Sequence, residues 1–218
     1  MSDQAEYGRF ITLEGGEGSG KSTQMQLIIE KLRQRGITAI ATREPGGSLG
    51  SEEIRTLLVT GETNRWNALT EALLNFAARK EHIEMTIFPA LKQGSWVVCD
   101  RFVDSTIAYQ GYGHQLPLRD LETLNALVLK SFKPDLTFIL DIDIESGLKR
   151  ATAGDDGDEN RFEKLDKEFH ERVRKGFLEI AANNPERCVV IDARKETVVV
   201  SEEIWKHIVQ RFHLDQAT

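Results

Sequence analysis

The fold of this chain can be inferred from one glycine-rich stretch, Gly15-Gly16-Glu17-Gly18-Ser19-Gly20-Lys21-Ser22-Thr23. Apolar residues 10–13 precede it, and a helical pattern follows it with one apolar face formed by Met25, Ile28, Ile29 and Leu32. The spacing from residue 15 onward is G-x-x-x-x-G-K-[ST], in the context of strand, loop and helix that this motif requires. The sequence therefore predicts a phosphate-binding loop.

The residue types in the loop explain how it holds a nucleoside triphosphate. Glycines let the backbone curl so that several N–H groups point to one place, and the following helix adds its own unpaired N–H groups there. We expect Lys21 to reach the β- and γ-phosphates and the Ser22 hydroxyl to ligate a magnesium ion. Glu17 is unusual beside an anionic ligand, so we expect its side chain to turn away, toward a hydroxyl group or a cation.

Length and composition are typical of one globular α/β domain covering residues 1–218. The net charge of -7 gives no basic surface for a nucleic-acid duplex. Cys99 and Cys188 border apolar runs and read as core residues, and the five histidines form no zinc-ligand pattern. The first seven residues form a short polar segment, and no apolar run approaches about 18 residues. We therefore expect no signal peptide, no membrane span and a cytoplasmic location.

Apolar runs alternate with helical patterns along the chain, which predicts a five-stranded parallel sheet flanked by helices. The predicted strands lie at about residues 9–14, 37–42, 95–100, 135–141 and 187–192. Further predicted helices lie at about residues 66–92, 118–131, 162–183 and 197–212. Pro89 falls inside the first of these, so we expect a kink or an early end there. The acidic segment 153–160 is typical of a mobile loop, and a lid is predicted over about 150–162.

Charged residues follow two of the predicted strands. Arg43 follows the second strand, and Asp100 and Arg101 follow the third. Ligands of open α/β sheets bind at the carboxyl ends of strands, and the planar guanidinium group matches a phosphate. The two arginines therefore predict a site for a phosphorylated acceptor beside the loop, and Asp100 predicts a second contact to magnesium, directly or through water.

Beyond the loop, the sequence resembles the bacterial thymidylate kinases. The resemblance rests on residues 10–23, Thr42-Arg-Glu-Pro-Gly-Gly, Asp100-Arg-Phe, Ser105, Ala108-Tyr-Gln-Gly, Pro134-Asp-Leu-Thr, Leu140-Asp, Gly147-Leu-Lys-Arg and Arg161-Phe-Glu. It covers nearly the whole chain in the right order. It implies a P-loop fold, transfer of the γ-phosphoryl group of ATP to dTMP, a magnesium requirement and a homodimer.

The resemblance also implies roles for particular residues. By the family pattern, Arg101 and Arg43 bind the phosphate of dTMP, and Glu17 meets the 3′-hydroxyl of its sugar. Residues around the sugar and base would be Ser105, Tyr109 and Gln110. The aromatic ring at Tyr109 crowds the 2′ position in the family, which disfavours ribonucleotides by bulk.

The chain departs from the family pattern on the long helix. The family has a phenylalanine that stacks on thymine four residues before an arginine that bonds its carbonyl group, whereas Phe76 stands three residues before Arg79. Offsets of three and four share a helical face, so Phe76 is the predicted stacking residue. Two alternatives stay open: Asn75 contacts the base, or Phe76 packs in the core. Phe177 also replaces a common tyrosine, which leaves one sugar contact in question.

A further departure concerns the cation that neutralises the transferred phosphoryl group. The loop has no arginine at positions 17–19, so the chain resembles the members whose lid donates this cation. Arg161 is predicted to meet the transferred phosphoryl group, and Arg150 to contact phosphate or adenine. A salt bridge to the neighbouring acidic residues is the alternative for each.

Two other functions can be weighed on the residues alone. A kinase of deoxynucleosides or of another nucleoside monophosphate would share the phosphate loop, but two arginines at strand ends favour an acceptor that already carries a phosphate. A GTP-binding switch would need an N-K-x-D segment for guanine and a D-x-x-G segment, and the sequence has neither.

Overall fold

The computed structural model describes residues 7–152 and 161–216 and contains one five-stranded parallel sheet. The strands are β1 (Phe10–Glu14), β2 (Ala39–Arg43), β3 (Trp96–Asp100), β4 (Leu136–Asp141) and β5 (Cys188–Asp192). Their spatial order is β2-β3-β1-β4-β5, with β1 in the centre. The predicted sheet is confirmed, since all five strands fall within about two residues of their expected positions and all pair in parallel.

Helices connect the strands and cover the sheet. The α-helices are α1 (Lys21–Gln34), α2 (Leu49–Val59), α3 (Ala68–His82), α4 (Phe88–Lys92), α5 (Val103–Thr106), α6 (Leu118–Leu129), α7 (Ile144–Thr152), α8 (Lys167–Asn183) and α9 (Thr197–Phe212). Two π-helical segments, Ile83–Ile87 and Ile107–Gly113, and a 3₁₀ turn, Leu214–Gln216, complete the set. The sequence patterns had not predicted α2, which supplies part of the site.

The sheet buries apolar side chains on both faces, as expected for strands that are covered on two sides. Successive residues of β1 point to opposite faces. Ile11 and Leu13 pack in a cluster with α1 and α9, and Phe10 packs in another with α3 and α6. The predicted apolar face of α1 is confirmed, since all four of its residues are buried. Cys99 and Cys188 are buried too, as predicted.

Pro89 interrupts the long helix in the way its chemistry requires. The α-helical pattern of α3 ends at His82, the π-helical segment Ile83–Ile87 follows, and Pro89 then stands in the first turn of α4. A proline is tolerated there because the N–H groups of a first helical turn have no intrahelical partner. The prediction of a break near Pro89 is confirmed.

The parallel register brings the predicted site residues to one edge of the sheet. Arg43 is the register partner of Asp100, and Asp100 is also the partner of Leu13 in β1. The phosphate-binding loop leaves β1 after Glu14, so it emerges beside Asp100 and two strands from Arg43.

The lid was predicted over about residues 150–162, and its middle, residues 153–160, lies outside the described residues. Within the described ranges, none of the helices combines the length and the apolar character that crossing a membrane requires.

Candidate active site

The phosphate-binding loop needs glycine at positions where the backbone passes close to β4 and α7. A Cβ atom added to Gly15 would lie 2.5 Å from the Leu140 carbonyl oxygen, and one added to Gly18 would lie 2.0 Å from that of Gly147. Both glycines have positive φ, at 140° and 63°. Larger side chains would therefore clash with neighbouring backbone and strain the loop.

Lys21, the first residue of α1, folds back over the loop. Its Nζ donates to the carbonyl oxygens of Gly15 and Gly16 at 3.3 and 2.9 Å, and lies 3.3 Å from Ser19 Oγ. Burial and the nearby Arg101 guanidinium lower the pKa of Lys21 to about 8. A bound phosphate would stabilise the charged form of this side chain.

Ser22 and Asp100 meet beside the loop. The Ser22 hydroxyl donates to Asp100 Oδ2 at 2.7 Å, so two oxygen atoms suited to a hard cation lie together. The described parts of the chain hold no cluster of three or more His, Cys, Asp or Glu side chains placed to bind a metal. This small donor set fits magnesium, which usually keeps waters and shares phosphate oxygens with one or two protein ligands.

The Glu17 carboxylate is bonded to one cation and one hydroxyl at the edge of the loop. Its Oε2 accepts from Arg101 Nη2 at 3.0 Å, and its Oε1 accepts from the Tyr109 hydroxyl at 2.6 Å. Although burial opposes ionisation, Arg101 and Lys21 lower the pKa of Glu17 to about 2. The prediction that Glu17 turns toward a hydroxyl or a cation is confirmed, and the carboxylate stays charged across the neutral range.

Arg101 combines an uncommon backbone conformation with several side-chain partners besides Glu17. It has a φ of 66°, a conformation that is uncommon for a residue with a side chain. Its Nη1 donates to the Gly15 carbonyl oxygen at 2.9 Å and to Ser105 Oγ at 3.2 Å, and its guanidinium lies 4.9 Å from the centroid of the Tyr109 ring. Arg101 therefore joins the phosphate loop to the residues predicted around the sugar.

Glu14 supports this corner and was missed from the sequence. It accepts from the Phe102 N–H at 2.8 Å and lies 2.5 Å from Ser105 Oγ. Burial and the neighbouring Asp104 carboxylate raise the pKa of Glu14 to about 8. Its position as the last residue of a buried strand, directly before the loop, could have indicated such a structural role.

Two adjoining cavities open at this edge of the sheet. We call the first the donor groove; the predicted residues that line it are Glu17, Gly18, Ser19, Gly20, Lys21, Ser22, Thr23, Arg43, Asp100, Arg101 and Arg150. We call the second the acceptor pocket; the predicted residues that line it are Glu17, Arg79, Arg101, Ser105, Tyr109 and Gln110. Glu17 and Arg101 therefore stand between the two cavities.

Arg55 of α2 also lines both cavities and was missed from the sequence. Its Nη1 donates to the Pro45 carbonyl oxygen at 2.9 Å, which holds the side chain against the loop after β2. Arg43 lines the donor groove but not the acceptor pocket. Its side chain is half-exposed, and its Nη2 lies 3.1 Å from Glu52 Oε2. The helical spacing of Ile54, Leu57 and Leu58 was the available signal for α2.

Phe76 does not face the acceptor pocket, so the stacking role predicted for it is not supported. Its side chain is 2% exposed and packs in the core cluster with Phe10, Val97 and Phe102. Asn75, one residue earlier, lines the pocket instead. Consecutive helical residues point about 100° apart, so only one of the two can turn toward the ligand.

Arg79 lines the acceptor pocket and is 2% exposed. Its Nε donates to Glu44 Oε2 at 2.7 Å, and its Nη2 donates to Phe102 O and Thr106 Oγ1, both at 3.0 Å. Its Nη1 is buried and has no hydrogen-bond partner among the described residues. A buried donor without a partner is costly, which points to an acceptor atom supplied by a ligand.

Arg161 does not line the donor groove in this structure, so the contact predicted between it and the transferred phosphoryl group is not seen here and its catalytic role stays a prediction. The side chain is 2% exposed, and its Nη1 forms a buried ion pair with Glu71. The guanidinium also donates to the carbonyl oxygens of Leu58, Glu62 and Thr63. These contacts tie the chain after residue 160 to the loop after α2, so Arg161 is structural in this conformation.

Arg150, the other predicted lid arginine, does line the donor groove. Its Nη1 donates to the Ala193 carbonyl oxygen at 2.9 Å. This contact places it beside the turn after β5, where Arg194 and Lys195 also line the groove. Phe177, which stands where the family commonly has a tyrosine, is buried in an apolar cluster, and its ring centroid lies 6.2 Å from that of Tyr109. A tyrosine hydroxyl at this position would need a hydrogen-bond partner.

The phosphate-binding loop at the carboxyl edge of a parallel sheet, with two adjoining cavities beside it, defines the class as a P-loop phosphotransferase. The family model described as thymidylate kinase matches residues 13–204. The chain belongs to the thymidylate kinase family and is a kinase.

Individual relatives agree with this assignment over nearly their whole length. The thymidylate kinase of Caulobacter vibrioides is 51% identical over 207 residues, which are 95% of this chain and 99% of that protein. The thymidylate kinase of Afipia carboxidovorans is 48% identical over 94% of this chain and 90% of its own. The crystal structure of thymidylate kinase from Ehrlichia chaffeensis has a TM-score of 0.75 and 39% identity, covering 93% of this chain and 99% of that one.

Proposed function

We propose that this protein transfers the γ-phosphoryl group of ATP to dTMP, giving dTDP and ADP. The observation that carries the proposal is the shared wall of the two cavities. Glu17, Glu44, Arg55 and Arg101 line both the donor groove and the acceptor pocket. A nucleotide in the pocket would therefore present its phosphate to the terminal phosphate in the groove, as in-line transfer requires.

The donor groove suits the triphosphate of ATP. Lys21 would leave the loop carbonyl oxygens for the β- and γ-phosphates, and the N–H groups at the start of α1 would bind the same anion. Ser22 and Asp100 would hold magnesium, which neutralises developing charge on the phosphates. Arg150 contributes positive charge on the far side of the groove, beside the turn that follows β5.

The acceptor phosphate is held by arginines at the wall between the cavities. Arg101 and Arg55 line both cavities, and Arg43 adds charge from the donor side. Phosphoryl transfer needs positioning and charge stabilisation rather than a protein nucleophile. With Arg161 buried elsewhere, these three arginines, Lys21 and Arg150 supply the positive charge in our proposal.

The deeper part of the pocket suits the thymidine moiety. Tyr109 and Glu17, joined at 2.6 Å, stand at the level of the sugar, where the tyrosine ring limits space for a 2′-hydroxyl. Ser105 and Gln110 line the wall beside them. Arg79 directs an unpartnered Nη1 to the thymine carbonyl oxygen, and Asn75 takes the place predicted for Phe76.

We also propose that the protein acts as a cytoplasmic homodimer. Several large apolar side chains of α2, α3, the π-helical segment after α3, and α6 are exposed: Leu57, Leu69, Leu73, Met85, Leu118 and Leu127. The packing of α2 on α3 and of α3 on α6 makes these helices neighbours. An apolar face of this kind is typical of an interface between copies. Sedimentation of the purified chain tests it, and a monomer at micromolar concentration would contradict it.

A coupled assay tests the reaction directly. ADP release from Mg-ATP is measured with dTMP, dUMP, dCMP, dAMP, dGMP and UMP in turn. We expect dTMP to give the highest kcat/KM. An absence of stimulation by dTMP, or a clear preference for a purine acceptor, would contradict the proposal.

A further inference from the structure

The guanidinium of Arg79 has hydrogen-bond partners at Nε and Nη2, whereas its Nη1 is buried and has none among the described residues. Glu44 Oε2 accepts from Nε, and the Phe102 carbonyl oxygen and Thr106 Oγ1 accept from Nη2. The rings of Phe76 and Phe102 lie 5.1 and 5.2 Å from its central carbon. The two N–H bonds of Nη1 are the ones left without a protein partner among the described residues.

The Glu44 carboxylate has a second partner on the side away from Arg79. Its second oxygen, Oε1, lies 3.0 Å from His82 Nδ1, and His82 Nε2 lies 2.7 Å from Thr42 Oγ1. Since a carboxylate bonded to arginine can only accept, Nδ1 carries the proton that bonds it. The bonds therefore run in series from Thr42 through His82 and Glu44 to Arg79.

This series of buried groups is tightly enclosed by the loop after β2. A Cβ atom added to Gly47 would lie 2.4 Å from both His82 Nε2 and Thr42 Oγ1. The Thr86 hydroxyl donates to the Gly47 carbonyl oxygen at 2.7 Å, which closes the loop over the histidine. Neither His82 nor Thr42 lines the acceptor pocket or the donor groove, so either acts on a ligand only through its neighbours, and the hydrogen bonds run through Glu44 to Arg79.

We propose that His82 and Thr42, acting through Glu44, are positioning residues that aim Arg79 Nη1 into the acceptor pocket and so set the choice between pyrimidine bases. The inference rests on the proposed function, because it concerns the acceptor of that reaction. A 4-oxo pyrimidine presents an acceptor atom to Nη1, whereas a 4-amino pyrimidine presents a donor and leaves both groups unpaired. The discrimination depends on the direction of Nη1, and that direction depends on the carboxylate that holds Nε.

The test compares three acceptors on one enzyme preparation. His82→Leu removes the bond to Glu44 Oε1, so the carboxylate and the guanidinium can tilt together. We expect the ratio of kcat/KM for dTMP to kcat/KM for dCMP to fall about tenfold, as the loss of one buried polar contact implies. The ratio for dTMP to dUMP should stay within about twofold, because both bases carry the 4-oxo group. These ratios are independent of the fraction of folded enzyme.

Further variants separate positioning from simple stability. Thr42→Val is a milder change for use if His82→Leu does not fold, and should lower the dTMP to dCMP ratio less. His82→Gln retains a donor for Glu44 and should restore part of the ratio. Thr137→Val is the matched control: Thr137 Oγ1 lies 2.8 Å from Thr12 Oγ1 and accepts from Arg187 Nη1 at 3.1 Å, and none of these three residues lines either cavity. It should lower the melting temperature and leave the ratio unchanged.

The possible results separate the two proposals. If folded His82→Leu and Thr42→Val enzymes keep the wild-type dTMP to dCMP ratio, the positioning role is refuted while the dTMP kinase activity stands. If Thr137→Val lowers the ratio as much as His82→Leu does, the effect is one of general stability and the inference also fails. If the wild-type enzyme does not phosphorylate dTMP, the proposed function itself fails.

Discussion

Replacing Phe76 with alanine is expected to destabilise the protein more than it weakens the binding of dTMP. The structure places the ring in the core cluster below the sheet, 2% exposed and outside the acceptor pocket. A stacking residue would instead face the ligand. The variant therefore distinguishes two roles that the sequence left open.

The expected loss follows from the burial of the ring. Truncating a fully buried phenylalanine to alanine costs about 3–5 kcal/mol, since the core refills the space only in part. The ring also lies 5.1 Å from the Arg79 guanidinium, so a cation–π contact is lost with it. For a chain of this length, about 1 kcal/mol lowers the melting temperature by roughly 2–4 °C. We therefore expect a decrease on the order of 10 °C.

The assay pairs thermal unfolding with steady-state kinetics, and Asn75→Ala is the matched control one residue away. Asn75 lines the acceptor pocket, so its loss should raise the KM for dTMP several-fold and change the melting temperature little. Phe76→Ala should show the reverse pattern. If Phe76→Ala keeps the wild-type melting temperature and raises the KM for dTMP, the core assignment is wrong and the stacking role is restored.

Three further predictions address the charged groups. Arg101→Ala should lower kcat/KM for dTMP at least ~100-fold while the Kd for ATP stays within a few-fold; an equal loss of ATP affinity would assign Arg101 to the donor site. Arg161→Met should cost about 3–5 kcal/mol of folding stability in denaturant titrations, because Glu71 is left buried without its cation, and kcat per folded molecule should hold; a large loss of kcat with normal stability would restore its catalytic role. The pKa of Lys21, lowered to about 8 by burial and Arg101, means that the free enzyme loses this charge as the pH rises through 8. The kcat/KM for ATP should therefore fall above about pH 8, and a flat profile to pH 9.5 would contradict the assignment.

Local patterns were enough for the elements that a single stretch of chain specifies. The phosphate loop is a contiguous motif whose glycines, lysine and serine act on one ligand, so its residues identify it directly. The strands were located because parallel strands buried on both faces are continuous apolar runs. The orientation of Glu17 was also predictable, because a carboxylate beside phosphate is stable only if it turns to a cation or hydroxyl.

Side chains whose partners lie far along the chain were not predictable in this way. Arg161 and Glu71 are 90 residues apart, and nothing near Arg161 in the sequence marks Glu71 as its partner. The same holds for Arg55, since the position of α2 against the loop after β2 depends on tertiary packing. Arginines beside acidic residues look alike in sequence whether they bind phosphate or a buried carboxylate.

By itself, therefore, the sequence determined the fold, the phosphate loop and the kinase family, because each is encoded by contiguous motifs or by the period of apolar residues. Only the tertiary structure decided which of Asn75 and Phe76 lines the acceptor pocket and which arginines line the two cavities. Helical offsets of three and four share a face, so the sequence could not separate these neighbours. The packing of α3 against the sheet sets its rotation, and that rotation turns Phe76 into the core and Asn75 toward the pocket.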